Sequence, residues 1–119
     1  MRATEFSTKA SSDSEFKTAY HITTTENANE ILYSGLDPRD GKVFLVVDTG
    51  DQSKLRKELG VVANWMYEKT AQSDNPLTLL QIDITNIPLN YEFGWHFSTT
   101  KIAPDRIQDL GENELARYA

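Results

Sequence analysis

The chain of 119 residues lacks cysteine altogether and has only two histidines. The absence of cysteine excludes disulfide bonds and thiolate ligands for a metal ion. His21 and His96 lie far apart in the sequence, and no His-x-x-x-His or Asp-x-Asp-x-Asp pattern accompanies them. No apolar run approaches the roughly 20 residues of a membrane-spanning helix. We therefore expect no membrane association and no resident metal ion.

The net charge argues against a nucleic-acid partner. Twelve Lys and Arg residues are scattered among 18 Asp and Glu residues, which gives a net charge of −6. Nucleic-acid binding depends on positive charge that neutralises phosphates. A nucleic-acid partner is accordingly disfavoured, although a local basic patch is compatible with this average.

Composition changes once along the chain. Residues 1–18 are rich in Ser, Thr, Asp, Glu and Lys, with isolated Phe6 and Phe16. We interpret this segment as a flexible polar arm that docks through its phenylalanines. Residues 19–119 have an ordinary content of apolar residues and are long enough for one domain with a single core.

The clearest local pattern lies in the stretch "YHITTTENANEILYSGL". Residues 20–23 favour a short strand. Thr23 and Glu26 have the spacing of a capping box, in which each side chain bonds a free amide at a helix start. Gly35 suits the position just past a helix end. The pattern predicts a helix over residues 24–34.

The remaining segments predict a mixed fold. Residues 42–48 form a continuous apolar run typical of a buried strand, and helical spacing begins near Asp51, with Gly60 as a candidate break. "LTLLQIDI" predicts another strand, and "YEFGWHFS", residues 91–98, alternates as a single strand would. The order of strand, helix, strand, helix and further strands predicts an α+β fold with helices around a mostly antiparallel sheet.

These motifs resemble, in order and spacing, the ADP-ribosyltransferase superfamily, in particular its small bacterial and phage members. The likeness is carried by "YHIT", the capped helix ending in "GL", the strand "VFLVV" and the closure "KIAPDRI", and it covers residues 19–107. The resemblance implies an ADP-ribosyltransferase-like split sheet with flanking helices. It also implies that NAD is the substrate and that ADP-ribose is transferred to a macromolecule, with a protein as the expected target.

The resemblance implies roles for particular residues. His21 would hydrogen-bond the ribose next to nicotinamide, because a neutral imidazole both donates and accepts. Ile22, Thr23 and Phe44 would contact NAD. A stacking aromatic residue is expected near the central strand or the following helix, and Tyr67 is favoured over Phe44 and the neighbouring tryptophan. A histidine satisfied by backbone and an amphipathic tyrosine at a helix edge are the alternatives.

The catalytic glutamate of such enzymes has a less obvious counterpart. Glu92 is the nearest acid, and on a single strand it would share a face with His96 at a distance of about 13 Å. A bulge at Gly94 would bring the two closer. His96 has a separate interpretation, because RNA 2′-phosphotransferases of this fold use histidine on a phosphate, although the acidic composition disfavours that function.

Two classes of function follow. The first is a mono-ADP-ribosyltransferase of the toxin or effector type, with His21, Tyr67, Glu92 and His96 as candidate catalytic residues. The second is a catalytically degenerate binding or regulatory module of the same fold. A glutamate within reach of the cleft favours the enzyme, whereas Trp95 or His96 in its place favours the module. We expect a cytoplasmic protein or an effector secreted without a cleavable signal peptide; the sequence leaves the oligomeric state open.

Overall fold

A computed structural model describes residues 16–38, 41–70 and 76–118. The strands are β1 Thr18–Thr24, β2 Val43–Val47, β3 Leu77–Asp83, β4 Asn90–Glu92, β5 Trp95–Ser98 and β6 Ile107–Gly111. The helices are α1 Thr25–Ser34, α2 Gln52–Thr70 and α3 Glu112–Ala116, and a 3₁₀ turn spans Pro104–Arg106. The six strands form one antiparallel sheet in the order β4-β5-β2-β1-β3-β6. The predicted α+β class with an antiparallel sheet and flanking helices is confirmed.

The two central strands pair over very different lengths with their neighbours. β1 pairs with β3 along its whole length, from Thr18↔Asp83 to Thr24↔Leu77. Its ladder with β2 comprises only Ala19↔Val47 and Tyr20↔Val46. β2 instead continues its pairing with β5. The strands β1 and β2 therefore part after Tyr20, in the middle of the sheet.

Both faces of the sheet are covered, which explains the continuous apolar runs in β2 and β3. One face packs beneath α1 through a core that includes Ala19, Leu45 and Ile82. The other packs beneath α2 and α3 through a core that includes Val46 and Leu79. Successive residues of a strand point to opposite faces, so each strand contributes to both cores.

The helix α1 begins one residue later than its capping pattern predicts. Thr24, and not Thr23, is the N-cap, and its hydroxyl oxygen accepts from the backbone N–H of Asn27 at 3.1 Å. Thr23 is buried within β1. The prediction of Thr23 as the cap is wrong because β1 keeps its pairing with β3 through Thr24. At the other end, Gly35 has a φ of 98° and donates to Ile31 O.

The helix α2 runs without interruption from Gln52 to Thr70, so Gly60 is not a break. A Cβ at Gly60 would lie 2.9 Å from the carbonyl oxygen of Tyr118. The glycine allows the C-terminal segment to approach the helix closely. Tertiary packing therefore accounts for a residue whose helix propensity is low.

The segment 91–98 is a hairpin and not a single strand. Phe93 and Gly94 both have positive φ, as in the two-residue turns that suit the twist of hairpins. The turn pairs Glu92 with Trp95 and Tyr91 with His96. Because cross-strand partners share a face, Glu92 and His96 lie on opposite faces of the sheet. The predicted common face and the separation along one strand are therefore both wrong.

Most of the predicted polar arm, including Phe6, lies outside the described residues. Its last residues belong to the folded domain, because β1 already begins at Thr18 and Lys17 O accepts from the N–H of Ile84. The ring of Phe16 packs edge-on against His96, with 5.9 Å between ring centroids.

In the part of the chain that is described, no helix is long and apolar enough to cross a membrane.

Substitution of Gly35 by alanine should destabilise the fold more than the same substitution at Gly50. The two glycines have nearly equal φ, 98° and 97°, but a Cβ at Gly35 would lie 2.6 Å from Ile102 O, whereas Gly50 faces open space. We expect Gly35→Ala to lose about 1–3 kcal/mol more free energy of unfolding, the usual cost of overpacking. Urea denaturation of both variants measures this difference. Equal losses would mean that the close approach to Ile102 does not constrain this position.

Candidate functional site

A cavity of about 830 Å³ lies where β1 and β2 part. Residues 20–23 and 42–46 border it along the two strands. α1 borders it with residues that include Asn27 and Ser34, and α2 borders it with residues that include Met66. The two helices cover opposite faces of the sheet, so the cavity extends through the gap between the strands. Its volume falls in the range of about 300–1,000 Å³ that is usual for small-molecule sites.

His21 lies at the point where the β1–β2 ladder ends. Its Nδ1 is 3.2 Å from the backbone oxygen of Phe44. A carbonyl oxygen only accepts, so Nδ1 carries the hydrogen and Nε2 is the accepting nitrogen of a neutral ring. The imidazole thus supplies a hydrogen bond across the gap in which the backbone ladder is missing. Its side chain borders the cavity at the same time.

The environment of His21 keeps the imidazole neutral. Burial lowers the pKa of His21 below its ordinary value of 6.5, and the hydrogen bond to Phe44 opposes this shift only in part. A neutral ring donates through one nitrogen and accepts through the other, whereas a protonated ring only donates. The histidine is therefore suited to accept a hydrogen bond from a ligand hydroxyl at neutral pH.

Besides His21, four aromatic side chains border the cavity: Tyr20, Phe44, Trp65 and Trp95. The two tryptophans are the only ones in the chain. Tyr67 does not border the cavity, although the sequence favours it as the stacking residue. Two residues along a helix correspond to a rotation of about 200°, so Trp65 and Tyr67 point in different directions. Lys69 covers the ring of Trp65, with its Nζ 4.6 Å from the ring centroid.

Glu92 lies beside the cavity and does not border it directly. Its carboxylate forms an ion pair with Lys42, which does border the cavity. The cross-strand partner of Glu92 is Trp95, another residue of the cavity wall. Glu92 therefore lies on the α2 face of the sheet, opposite to the His21 side chain, and is linked to the cavity through two neighbours.

His96 lies on the opposite face from Glu92 and does not border the cavity. Its ring packs edge-on against Tyr91, with 4.7 Å between ring centroids, and also against Phe16. The structure brings together the predicted NAD contacts His21, Ile22, Thr23 and Phe44 around one cavity. It leaves Tyr67 and His96 outside this group.

The cavity residues with no role predicted from the sequence include Lys42, Asp37 and the polar residues of α1. Asn27, Glu30 and Ser34 recur at the three-and-four spacing of one helix face, and this signal is visible in the sequence. Lys42 has no comparable signal, because its role depends on the hairpin that carries Glu92. Among the described residues, no group of three or more His, Asp or Glu side chains could hold a metal ion.

Comparison of the chain with protein-family models, with curated proteins and with solved structures finds no match.

The neutral state of His21 makes the stability of the fold depend on pH. Because the pKa of His21 is lowered in the folded state, the unfolded chain binds this proton more readily. Above pH 6.5 the ring is neutral in both the folded and the unfolded chain, and the fold has its full stability. This stability declines as the pH falls from 6.5 toward the folded-state pKa of His21. The free energy of unfolding should fall more steeply between neutral pH and about pH 5 in the wild type than in His21→Asn.

Urea denaturation at a series of pH values measures this difference. The asparagine can still donate to Phe44 O and does not titrate. Parallel pH profiles would mean that His21 is not held neutral by its surroundings.

Proposed function

We propose that the protein is an NAD-dependent mono-ADP-ribosyltransferase that binds NAD in the cavity between β1 and β2 and modifies a protein. The observation that carries the proposal is the position of His21, a neutral imidazole held by Phe44 O at the point where the two central strands part. The resemblance of residues 19–107 to that superfamily, described above, led to the same histidine. The net charge of −6 favours a protein target over a nucleic acid.

The wall of the cavity suits the chemistry of NAD. Nicotinamide and adenine are planar rings, and Phe44, Trp65 and Trp95 offer aromatic surfaces for stacking. A ribose hydroxyl can donate to the accepting nitrogen of His21. The volume of about 830 Å³ is sufficient for a ligand of nucleotide size.

The reaction breaks the bond between nicotinamide and the ribose carbon. Nicotinamide leaves as a neutral molecule with the bonding electron pair, and positive charge develops on the ribose. A nucleophile of the target protein then bonds to that carbon and loses its proton. A carboxylate stabilises the developing charge, and Glu92 is the acid that Lys42 holds beside the cavity. In this proposal Glu92 orients the ribose and polarises the target nucleophile.

A second function is favoured by one specific observation. Trp95, and not an acidic side chain of the β4–β5 hairpin, borders the cavity, and Glu92 is engaged by Lys42. A protein that binds NAD or a related nucleotide without turnover would have this arrangement. The two functions share the binding site and differ in whether the carboxylate reaches the ribose.

Replacement of Glu92 by glutamine separates the two functions. Glutamine keeps the shape and the hydrogen-bonding capacity of the side chain and removes its charge. If the protein is a transferase, the rate of nicotinamide release should fall by about 10²–10³, the usual loss for one well-placed electrostatic contact. NAD affinity should change little, because the charge acts mainly in the transition state. Labelled NAD measures both nicotinamide release and transfer of the label to protein.

Glu68→Gln is the matched control, since Glu68 is exposed on α2 and does not border the cavity. His96→Ala should also retain activity, because His96 does not border the cavity. NAD binding without nicotinamide release in the wild type would favour the non-catalytic module. Full activity of Glu92→Gln would rule out Glu92 as the catalytic carboxylate.

Binding of NAD should change the fluorescence of the protein, because both of its tryptophans border the cavity. His21→Ala should weaken the affinity measured in this titration by about tenfold, the equivalent of one lost hydrogen bond. Tyr67→Phe is the control and should bind as the wild type does. An unchanged affinity of His21→Ala would contradict a contact between His21 and NAD.

A further inference from the structure

The distribution of charge around the cavity is uneven. Glu30 and Asp37 both border it and carry negative charge at neutral pH. Among the described residues of its wall, Lys42 is the one with a permanent positive charge. A ligand with a phosphate group is repelled by the two carboxylates, and it gains a favourable ion pair only near Lys42. A phosphate in the cavity is therefore expected near Lys42.

Lys42 is held in place by two contacts outside the cavity. Its Nζ forms an ion pair with Glu92 and lies 4.8 Å from the centroid of the Phe97 ring. Two-fifths of the Lys42 side chain remains exposed. An ammonium group has three N–H donors, so the bond to Glu92 leaves capacity for a second acceptor.

From these contacts we propose that Lys42 binds a phosphate of the nucleotide and, through the same ammonium group, positions Glu92 beside the cavity. The inference rests on the proposed function and adds a residue that links the bound phosphate to the carboxylate. Lys42 acts on the reaction through Glu92 and is a positioning residue. It also makes the site favour ligands that carry phosphate.

The test compares Lys42→Met, Lys42→Arg and Lys69→Met with the wild type. Methionine keeps the apolar stem and removes the charge, whereas arginine keeps the charge. Lys69→Met is the matched control, because Lys69 contacts the cavity residue Trp65 and does not border the cavity itself. The probes are ADP-ribose, which has two phosphates, and nicotinamide riboside, which has none. Tryptophan fluorescence measures their binding, and a thermal melt of each variant confirms that it is folded.

Lys42→Met should bind ADP-ribose roughly tenfold to a hundredfold more weakly, the range of a hydrogen bond to a charged group. Its affinity for nicotinamide riboside should equal that of the wild type. Added salt should weaken ADP-ribose binding more in the wild type than in Lys42→Met. Lys42→Arg should restore the affinity for ADP-ribose, and Lys69→Met should behave as the wild type.

The kinetic effect separates positioning from binding. With NAD, Lys42→Met should show a raised KM and also a lower kcat, because Glu92 is no longer held beside the cavity. Lys42→Arg should recover most of both.

The outcomes distinguish this inference from the proposed function. Equal affinity of Lys42→Met and the wild type for ADP-ribose would overturn the inference, whether or not NAD is cleaved. A selective loss of ADP-ribose binding in a protein that does not cleave NAD would support the phosphate contact and reject the transferase. If the wild type binds neither ADP-ribose nor NAD, both proposals fail.

Discussion

The parting of β1 and β2 is the constraint on which the candidate site depends. The two strands exchange only two pairs, and each then continues with its other neighbour. Backbone groups that face the gap no longer bond across the sheet, and a buried polar group without a partner is costly. The His21 side chain supplies one bond across the gap by donating to Phe44 O. The same geometry that interrupts the sheet therefore opens a cavity and holds a neutral imidazole at its edge.

Two helices make this gap a usable site. α1 covers one face of the sheet and α2 the other, so a ligand in the gap would contact polar groups of α1 and aromatic groups of α2. The strands on either side are paired with their other neighbours, so the backbone of the cavity wall is fixed by the sheet before a ligand binds. Such pre-organisation reduces the entropy that a ligand loses on binding.

Charge is arranged around the cavity in a way that local sequence does not indicate. Lys42 precedes β2, and Glu92 belongs to a hairpin fifty residues later in the chain. β2 pairs with β5, and β5 pairs with β4, so these two side chains meet at the edge of the cavity. A surface ion pair contributes little to stability, with a typical value of about 0–1 kcal/mol. The ion pair matters because it places the Glu92 carboxylate at the edge of the cavity.

The sequence by itself determined the fold class, the order of the elements and the strand that carries His21. These features depend on local periodicity, since apolar runs between glycines and prolines indicate buried strands and three-and-four spacing indicates helices. The polar stripe of α1 is visible in the same way. The sequence predicts a single strand over residues 91–98, whereas the structure has a hairpin. The alternation of apolar and polar residues continues through the turn at Phe93 and Gly94 and so conceals the turn.

Only the tertiary structure decided which side chains meet. The exact start of α1 depends on how far β1 pairs with β3, so Thr24 caps the helix where spacing favoured Thr23. The face on which Glu92 lies depends on the register of the hairpin, because a shift of one residue exchanges the two faces of a strand. The gap between β1 and β2, and with it the cavity, depends on competition among strands that are distant in the chain. Local periodicity contains no information about that competition, since it does not specify which strands become neighbours.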